Sequence, residues 1–587
     1  MTKFEVVFIT TPVIGHLVPI VELAHHLINC DPRFSITLLI ITIPQRPLVN
    51  TYVQSCVAKS ASSTNIKFVL LPTVDPPSPD QFQSSTGRMS LFIERHKPHV
   101  KQAITNLMAT ELDVDSDRRL VGFFIDLFTT SMIDVANELD IPCYLYFPSS
   151  AAFLGFMLHL PILDTQLTTG LAELDTELVI PSFVNPVPPS VLPSRALEKD
   201  GYSFYLQNAR RYVETKGIII NTFSELEPHA LNSFSASQVP PLYPIGPVLD
   251  LAGPAQWHPD RAQHERIMRW LDDQPPSTVV FLCFGSMGGL SGSQVREIAL
   301  GLELAGVRFV WALREPPKTQ FAFPDDYMSL EKVLPDGFLE RTSKIGLVCG
   351  WVSQVSILAH KAIGGFISHC GWNSILESLW HGIPIATWPI YAEQQINAFE
   401  MVKELGLAIE IRLDYREGSD LVLANEVERG INCLMDYDNE VPGFSTRRGK
   451  YSFATPPPAA RKPPVVVVRT GKLSPEVIRS EKESTDTERQ DNNEADSQEN
   501  NLHDSRSTSY NLGILRNLNL KSMDLGETRS ADEIFEERIE EIDKELKRFD
   551  PTIDTTAKNI AATGKENLLE SLSFNDDQTV YTQTSRA

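Results

Sequence analysis

The chain is poor in the features that tie a protein to an oxidising compartment, a bilayer or nucleic acid. Its seven cysteines, Cys30, Cys56, Cys143, Cys283, Cys349, Cys370 and Cys433, are odd in number and include no C-x-x-C pair. Most sit in apolar runs, which argues against a disulfide framework and reads as buried, reduced thiols of a cytoplasmic protein. Long apolar runs are missing too: nothing approaches the ~18–20 residues that span a bilayer. The opening MTKFEVVFITTPVIGHLVP has a short apolar core broken at Glu5, with neither a long h-region nor a small-residue cleavage site, so no targeting segment is expected. Basic charge is scarce. Lys and Arg number 52 against 75 Asp and Glu, a formal net charge of −23, whereas nucleic acid and anionic membranes require clustered Lys and Arg. Neither is an expected partner. An acidic protein can still hold a phosphate locally, on backbone N–H groups at a helix N-terminus.

What the chain does have is core material. Hydrophobic residues make up 42 % of 587, and that length calls for several domain equivalents of about 150 residues each. Over residues 1–240, short β-rich runs alternate with amphipathic stretches. The runs at 4–10, 34–43, 66–72, 120–128 and 143–148 read as strands, and 19–30, 91–112 and 131–140 as helices. Strands apolar on both faces and separated by helices indicate a parallel sheet covered on two sides, a doubly wound α/β domain. The Pro- and Gly-rich VPPLYPIGPVLDLAGP marks a linker placed at 241–256. A second series follows over 257–436, with strands at 277–287, 308–314, 345–352, 364–371 and 384–390 and helices at 293–306, 353–362 and 373–382. Two α/β halves would face each other across a cleft, the usual place for a ligand. From 437 to 587 a Pro cluster gives way to charged, amide-rich low complexity, which predicts a largely disordered tail. Only 530–549 shows helical periodicity there, with opposite charges at i, i+4.

One segment is crowded with polar and aromatic groups. Trp351 follows a strand, where an indole can stack on a flat heterocycle, and Gln354 lies one helical turn on. His369 ends a strand, and Asn373 and Ser374 open the next helix. They are good caps, yet a helix start after Gly also offers free N–H groups and a positive dipole end that suit a pyrophosphate. Glu377, a turn further, suits the hydroxyls of a ribose, and Glu393 and Gln394, after a strand and a Pro, suit a polyol. Heterocycle, ribose, diphosphate and polyol are the parts of a nucleotide sugar.

The 44 residues from Trp351 to Gln394 closely resemble the signature box of plant family 1 UDP-glycosyltransferases, W-x-x-Q … HCGWNS … E … G-x-P … WP … (D/E)Q. The resemblance runs over residues 1–436 and includes TTPVIGHLVPIVELAHHL, IDLFTTSMIDVANELDIP, KGIIINTFSELEP, WLDDQPPSTVVFLCFGSMG and LPDGFLERT. It implies the GT-B architecture, two Rossmann-like domains across a cleft, with 1–240 binding the acceptor and 257–436 the UDP-sugar. It further implies that Trp351 stacks on uracil, that Gln354 and the Val352 backbone meet its polar edge, and that Glu377 holds the ribose. Ser286, His369, Asn373 and Ser374 would bind the diphosphate, and Trp372, Glu393 and Gln394 the sugar hydroxyls. A Gln at the end of the box is usually associated with glucose donors.

The family's general base corresponds to His16 in PVIGH, and its carboxylate partner to Asp126 in FFIDLF. His16 follows a strand, a Pro and a Gly and opens a helix, so its ring would face the cleft. Asp126 is a lone acid ending an apolar strand, where an unpaired charge is costly. His25 and His26 read as ordinary helix residues. The implied reaction is inverting transfer of glucose from UDP-glucose to a hydroxyl of a small apolar acceptor: a flavonoid, another phenolic or a terpenoid. The acceptor would lie among Phe123, Phe128, Phe147 and Phe153. Where relatives often carry Thr this chain has Pro148, so Ser149 or Ser150 would have to supply that sugar contact. No cofactor and no metal are expected. DVDSD at 113–117 has D-x-D spacing but reads as a solvated loop. A monomer is expected. After LANEVERGINCLMD the family's last helices are replaced by DYDNEVPGFSTRRGKYSFATPPP. That departure leaves two other readings beside the enzyme: a nucleotide-sugar binder that cannot close, and an interaction protein acting through its tail.

Overall fold

The run Phe34–Ile40 is buried at all seven positions, as a strand covered on both faces must be. It is β2 of a sheet built from β1 (Lys3–Ile9), β2, β3 (Ile66–Leu70), β4 (Arg118–Asp126), β5 (Cys143–Phe147), β6 (Ile218–Ile220) and β7 (Leu242–Pro244). The computed structural model describes residues 3–436 except 44–45, 61–64, 83–84, 112–117, 237–238, 254–260, 318–323 and 417–420. All of these lie within one compact unit. The expected tail with its 530–549 helix, and DVDSD, fall outside the described residues.

The seven strands lie in the order β3-β2-β1-β4-β5-β6-β7, and every pairing is parallel. A second sheet contains β8 (Val279–Cys283), β9 (Arg308–Ala312), β12 (Gly346–Cys349), β13 (Ile363–Ser368), β14 (Ile385–Thr387) and β15 (Ala408–Glu410), in the order β12-β9-β8-β13-β14-β15. Its pairings are parallel too. The short strands β10 (Arg314–Glu315) and β11 (Asp325–Asp326) form an antiparallel pair beside it. In each sheet the strand order reverses once, between β1 and β4 and between β8 and β13. In open parallel sheets the crevice at such a reversal, beyond the carboxyl ends of the strands, is where ligands bind.

Three local expectations differ from the structure. The helix expected over 91–112 is two helices, Ser85–Glu94 and Lys97–Glu111. Pro98 has no N–H to bond back to residue 94, and it is at home in the first turn of a new helix. The expected linker begins inside the first sheet, because Leu242–Pro244 pairs with Ile218–Ile220. A strand carrying Pro244 is tolerated there because it is the sheet's edge. Phe123 and Phe147, expected beside an acceptor, are fully buried core residues, since β4 and β5 are covered on both faces. All seven cysteines are free.

The two sheets are fastened to each other through buried polar contacts. Glu227, which precedes the helix Pro228–Ser233, accepts from Ala152 N at 2.9 Å. Its carboxyl also hydrogen-bonds Glu400, in a π-helical turn Glu400–Glu404 of the second half. Both are almost wholly buried. Burial, and then the charge and hydrogen bond of Glu227, push the Glu400 carboxyl well above the usual range, against a bond to Ser150. Burial thus favours the protonated form of Glu400, which can donate to Glu227. Beside it, Glu404 accepts from Val184 N at 2.7 Å and Asn185 N at 2.9 Å.

A folded-state value raised above that of the unfolded chain contributes stability that is complete at acidic pH and is lost as pH rises through the folded value. Glu400→Gln keeps a donor to Glu227 without a titrating proton. It should melt above the parent at alkaline pH, by about 2–4 °C for each kcal/mol recovered, with the difference shrinking toward pH 5. A melting difference independent of pH would show that Glu400 does not titrate across this range.

Candidate active site

The loops after β1 and β4 meet where the first sheet reverses. There the carboxylate of Asp126, fully buried, accepts from Thr10 Oγ1 at 2.7 Å, Thr11 N at 2.6 Å, Thr11 Oγ1 at 2.9 Å and Phe128 N at 2.9 Å. The fifth contact is His16 Nδ1, 3.0 Å from Oδ2. Burial acts against the charge, but the bonds from His16, Thr11 and Thr10 outweigh it and hold the carboxyl below its ordinary value. An ionised carboxylate only accepts, so His16 Nδ1 carries the hydrogen and Nε2 keeps its lone pair. The His16 side chain is 20 % exposed. Its ring stacks on Phe128, with centroids 5.6 Å apart and 28° between planes.

His16 lies in the first turn of the helix Ile14–Cys30, which contains Pro19. Proline has no N–H, so the Gly15 carbonyl, four residues earlier, loses its intrahelical donor. Asn373 replaces it from the other half: Nδ2 donates to Gly15 O at 2.9 Å. The helix start that holds His16 is thus tied to the helix Trp372–His381. That helix is Gly-capped, has no acid in its first turn, and has the free N–H groups of any helix start.

In the second sheet the loops after β8 and β13 likewise meet at the reversal. His369 is 6 % exposed. Burial pulls its imidazole down to about 4, against a hydrogen bond to the Cys283 backbone, so the ring is neutral at physiological pH. Gly285 adopts φ +77°, and a Cβ there would stand 2.4 Å from His369 Nε2; only glycine lets the Gly-Ser turn close on this ring. Cys370 (φ 62°) and Ala392 (φ 58°) also occupy the left-handed region, strain of the kind that collects at functional loops.

Gln354 Nε2 donates to Ser374 Oγ and Glu377 Oε2, both at 2.8 Å, so its amide links two other site residues. Burial raises Glu377 to about 7, with the charge of Asp250 adding and Gln354 opposing. Trp351 N donates to Asp326 Oδ1 at 3.0 Å, and Gln263 Nε2 donates to its carbonyl at 2.7 Å; Val352 beside it is buried. Gln394 Oε1 accepts from Ile390 N at 2.9 Å and Tyr391 N at 3.0 Å, and its side chain also hydrogen-bonds the Tyr391 hydroxyl. Burial raises the Glu393 carboxyl, opposed by its own backbone N–H and by His16. The Trp372 indole N–H donates to Asn221 O at 2.7 Å, across to the first sheet.

One cavity of about 400 Å³ gathers these groups. Its wall includes His16 and, from the second half, Ser286, Trp351, Val352, Gln354, His369, Trp372, Asn373, Ser374, Glu377, Glu393 and Gln394. Asp126 stands behind His16. Phe128 and Phe153 reach the wall, as do Pro148 and Ser149. Ser150 instead caps the helix Ala151–Gln166 by accepting from Phe153 N at 3.0 Å. The sequence reading overlooked Thr10, Thr11, Arg46, Asp250 and Arg314. Only the Thr pair had a signal, lying one residue beyond β1 beside the strand of Asp126. Among the described residues no group of His, Cys, Asp and Glu is arranged to hold a metal, and no helix is long and apolar enough to cross a membrane.

Residues 217–440 match the family described as UDP-glucoronosyl and UDP-glucosyl transferase. UDP-glycosyltransferase 43 of Pueraria montana var. lobata is 58 % identical over 444 residues, covering 75 % of this chain and 93 % of that protein. UDP-glucose flavonoid 3-O-glucosyltransferase 6 of Fragaria ananassa is 48 % identical over 449 residues, with 74 % and 92 % covered. Among solved structures, Medicago truncatula UGT71G1 complexed with UDP-glucose superposes with a TM-score of 0.66 at 44 % identity, over 75 % of this chain and 91 % of that one. Sequence, fold and site agree: the chain belongs to the plant UDP-glycosyltransferases of this family and is a glycosyltransferase of the GT-B fold.

Proposed function

We propose that the protein moves glucose from UDP-glucose to a hydroxyl of a small, largely apolar acceptor with inversion, His16 acting as general base and Asp126 as its partner. The observation that carries this reading is the 3.0 Å His16–Asp126 contact opening on the same cavity as Trp351, His369 and Glu377. In this reading residues 1–240 bind the acceptor, 257–436 bind the donor, and 241–256 join them. Relatives named as UDP-glucose flavonoid and anthocyanidin glucosyltransferases support a phenolic acceptor. Seven free thiols suit a reducing compartment such as the cytoplasm.

Trp351 stacks on the uracil, with the Val352 backbone and Gln354 at its edge; Glu377 holds the ribose. Ser286, His369, Asn373, Ser374 and the start of the Trp372–His381 helix receive the diphosphate. Glu393 and Gln394 hold sugar hydroxyls. Trp372 serves through its place in the wall, because its indole N–H already bonds Asn221. Ser149, whose Oγ has no hydrogen-bond partner among the described residues, stands where Ser150 cannot serve. The acceptor oxygen bonds to the anomeric carbon as that carbon's bond to the diphosphate breaks on the opposite face. The hydroxyl proton passes to His16 Nε2, and Asp126 stabilises the imidazolium. An α-linked donor gives a β-glucoside.

His16→Ala should lower kcat for UDP release by about 10²–10⁴-fold, and Asp126→Asn should fall in the same range, with the glucoside mass lost in step. Activity unaffected in His16→Ala would remove His16 as base. Trp351→Ala should instead weaken UDP binding by roughly ten- to a hundredfold, read by calorimetry with UDP alone. Unaltered UDP affinity would place the uracil elsewhere.

A further inference from the structure

The indole of Trp351 is placed only as firmly as its backbone. Trp351 stands two residues beyond β12, in a bend rather than in a helix or strand, so no regular ladder fixes it. Two side chains do so instead. Its N–H donates to Asp326 Oδ1 at 3.0 Å, and its carbonyl accepts from Gln263 Nε2 at 2.7 Å. Asp326 reaches that N–H because residue 350 is glycine. A Cβ on Gly350 would stand 2.1 Å from the Asp326 carboxyl carbon, and any larger residue would push the carboxylate off the Trp351 N–H.

Asp326 is in turn held by Arg314. β9 and β12 pair in parallel, and Leu313 N continues their ladder by donating to the Cys349 carbonyl at 2.8 Å. One residue on, Arg314 opens β10 and lies directly opposite Asp326 of β11. Arg314 Nε stands 3.0 Å from Asp326 Oδ1, the same oxygen that accepts from Trp351. Its Nη2 donates to the Pro324 carbonyl, so the guanidinium is anchored on both strands of the hairpin. The Arg314 side chain is largely buried and lines the same cavity as Trp351, whereas Asp326 is half exposed. An exposed aspartate bonded to one backbone N–H is free to turn to water; a charged partner on the same oxygen holds it in place. From this geometry we infer that Arg314 and Asp326 are positioning residues for the donor's base, acting through the backbone of Trp351 to hold its indole at the angle at which uracil stacks. This rests on the proposed function and deepens its donor site. The pair takes no part in the chemistry at the anomeric carbon.

The test measures UDP binding to the full chain by calorimetry. Arg314→Gln should weaken UDP about three- to tenfold, Asp326→Ala should match it, and Arg314→Lys should recover part of the loss. The same factor should separate parent and Arg314→Gln for uridine, which carries the base without the diphosphate. In a Trp351→Ala background, Arg314→Gln should cost less than about twofold, because residues that act through one another do not add. Asp326→Ala, at a half-exposed position, carries the same comparisons if Arg314→Gln does not fold. UDP affinity unmoved by Arg314→Gln, or a full loss repeated in the Trp351→Ala background, overturns the inference and leaves Trp351 as the stacking residue. A loss seen with UDP and absent with uridine overturns it too, making Arg314 a diphosphate contact. If Trp351→Ala alone binds UDP as the parent does, uracil lies elsewhere, and the donor reading fails together with the inference.

Discussion

The carboxylate of Asp126 is the constraint around which the first half is arranged. A charge with no exposure is tolerated only when nearly every lone pair is met. Five donors meet this one, and three of them come from Thr10 and Thr11 at the end of the neighbouring strand β1. Those two residues come within reach of Asp126 because β1 and β4 pair in parallel, at the place where strand order reverses. The fifth donor is His16. The group that fixes the ring's tautomer is thus fixed by the sheet itself. His16 depends on register, and a slip of one residue would turn Asp126 to the opposite face.

The second dependence runs between the sheets. Pro19 deprives the Gly15 carbonyl of its own helix, and Asn373 supplies the missing donor from 358 residues away in sequence. A proline inside a helix ordinarily weakens it; here the vacated acceptor becomes a joint between the helix that carries His16 and the helix that opens at Trp372. Trp372, the preceding residue, makes the second joint through Asn221. The hydrogen bond of Glu400 with Glu227, and the carboxylate of Glu404, fasten the halves at a greater distance from the cavity. Every one of these joints is polar and directional. They add direction to an apolar contact between the halves, in which the rings of Phe183 and Phe399 lie 6.0 Å apart.

How much of this was legible beforehand follows from the range of each interaction. Local signals carried well: apolar runs marked ten of the thirteen strands of the two sheets, missing only β6, β7 and β15, and the box around Trp351 and His369 named cavity residues that all prove to share one wall. Pro98 and Pro244 misled, because a proline's consequence depends on whether its position is a helix start or a sheet edge. Phe123 and Phe147 misled because an aromatic in a strand covered on both sides has no cleft to face. The Asn373–Gly15 and Trp372–Asn221 contacts had no local signal at all; each joins a side chain to a carbonyl of the other half, and any residue carries a carbonyl. Arg46 was passed over for a similar reason: its cavity position and its contact with the Pro12 carbonyl leave no trace in the residues around it.

The site's charges also follow one rule. Asp126, which must remain an anion, is surrounded by donors and held below its ordinary value. His369, Glu377 and Glu393 lack that support, and burial moves each toward its neutral form. A neutral His369 offers an N–H where a cation would otherwise need solvation, and the helix start adds N–H groups that carry only partial charge. Gly285 keeps room beside that ring, because a Cβ there would stand 2.4 Å from its Nε2.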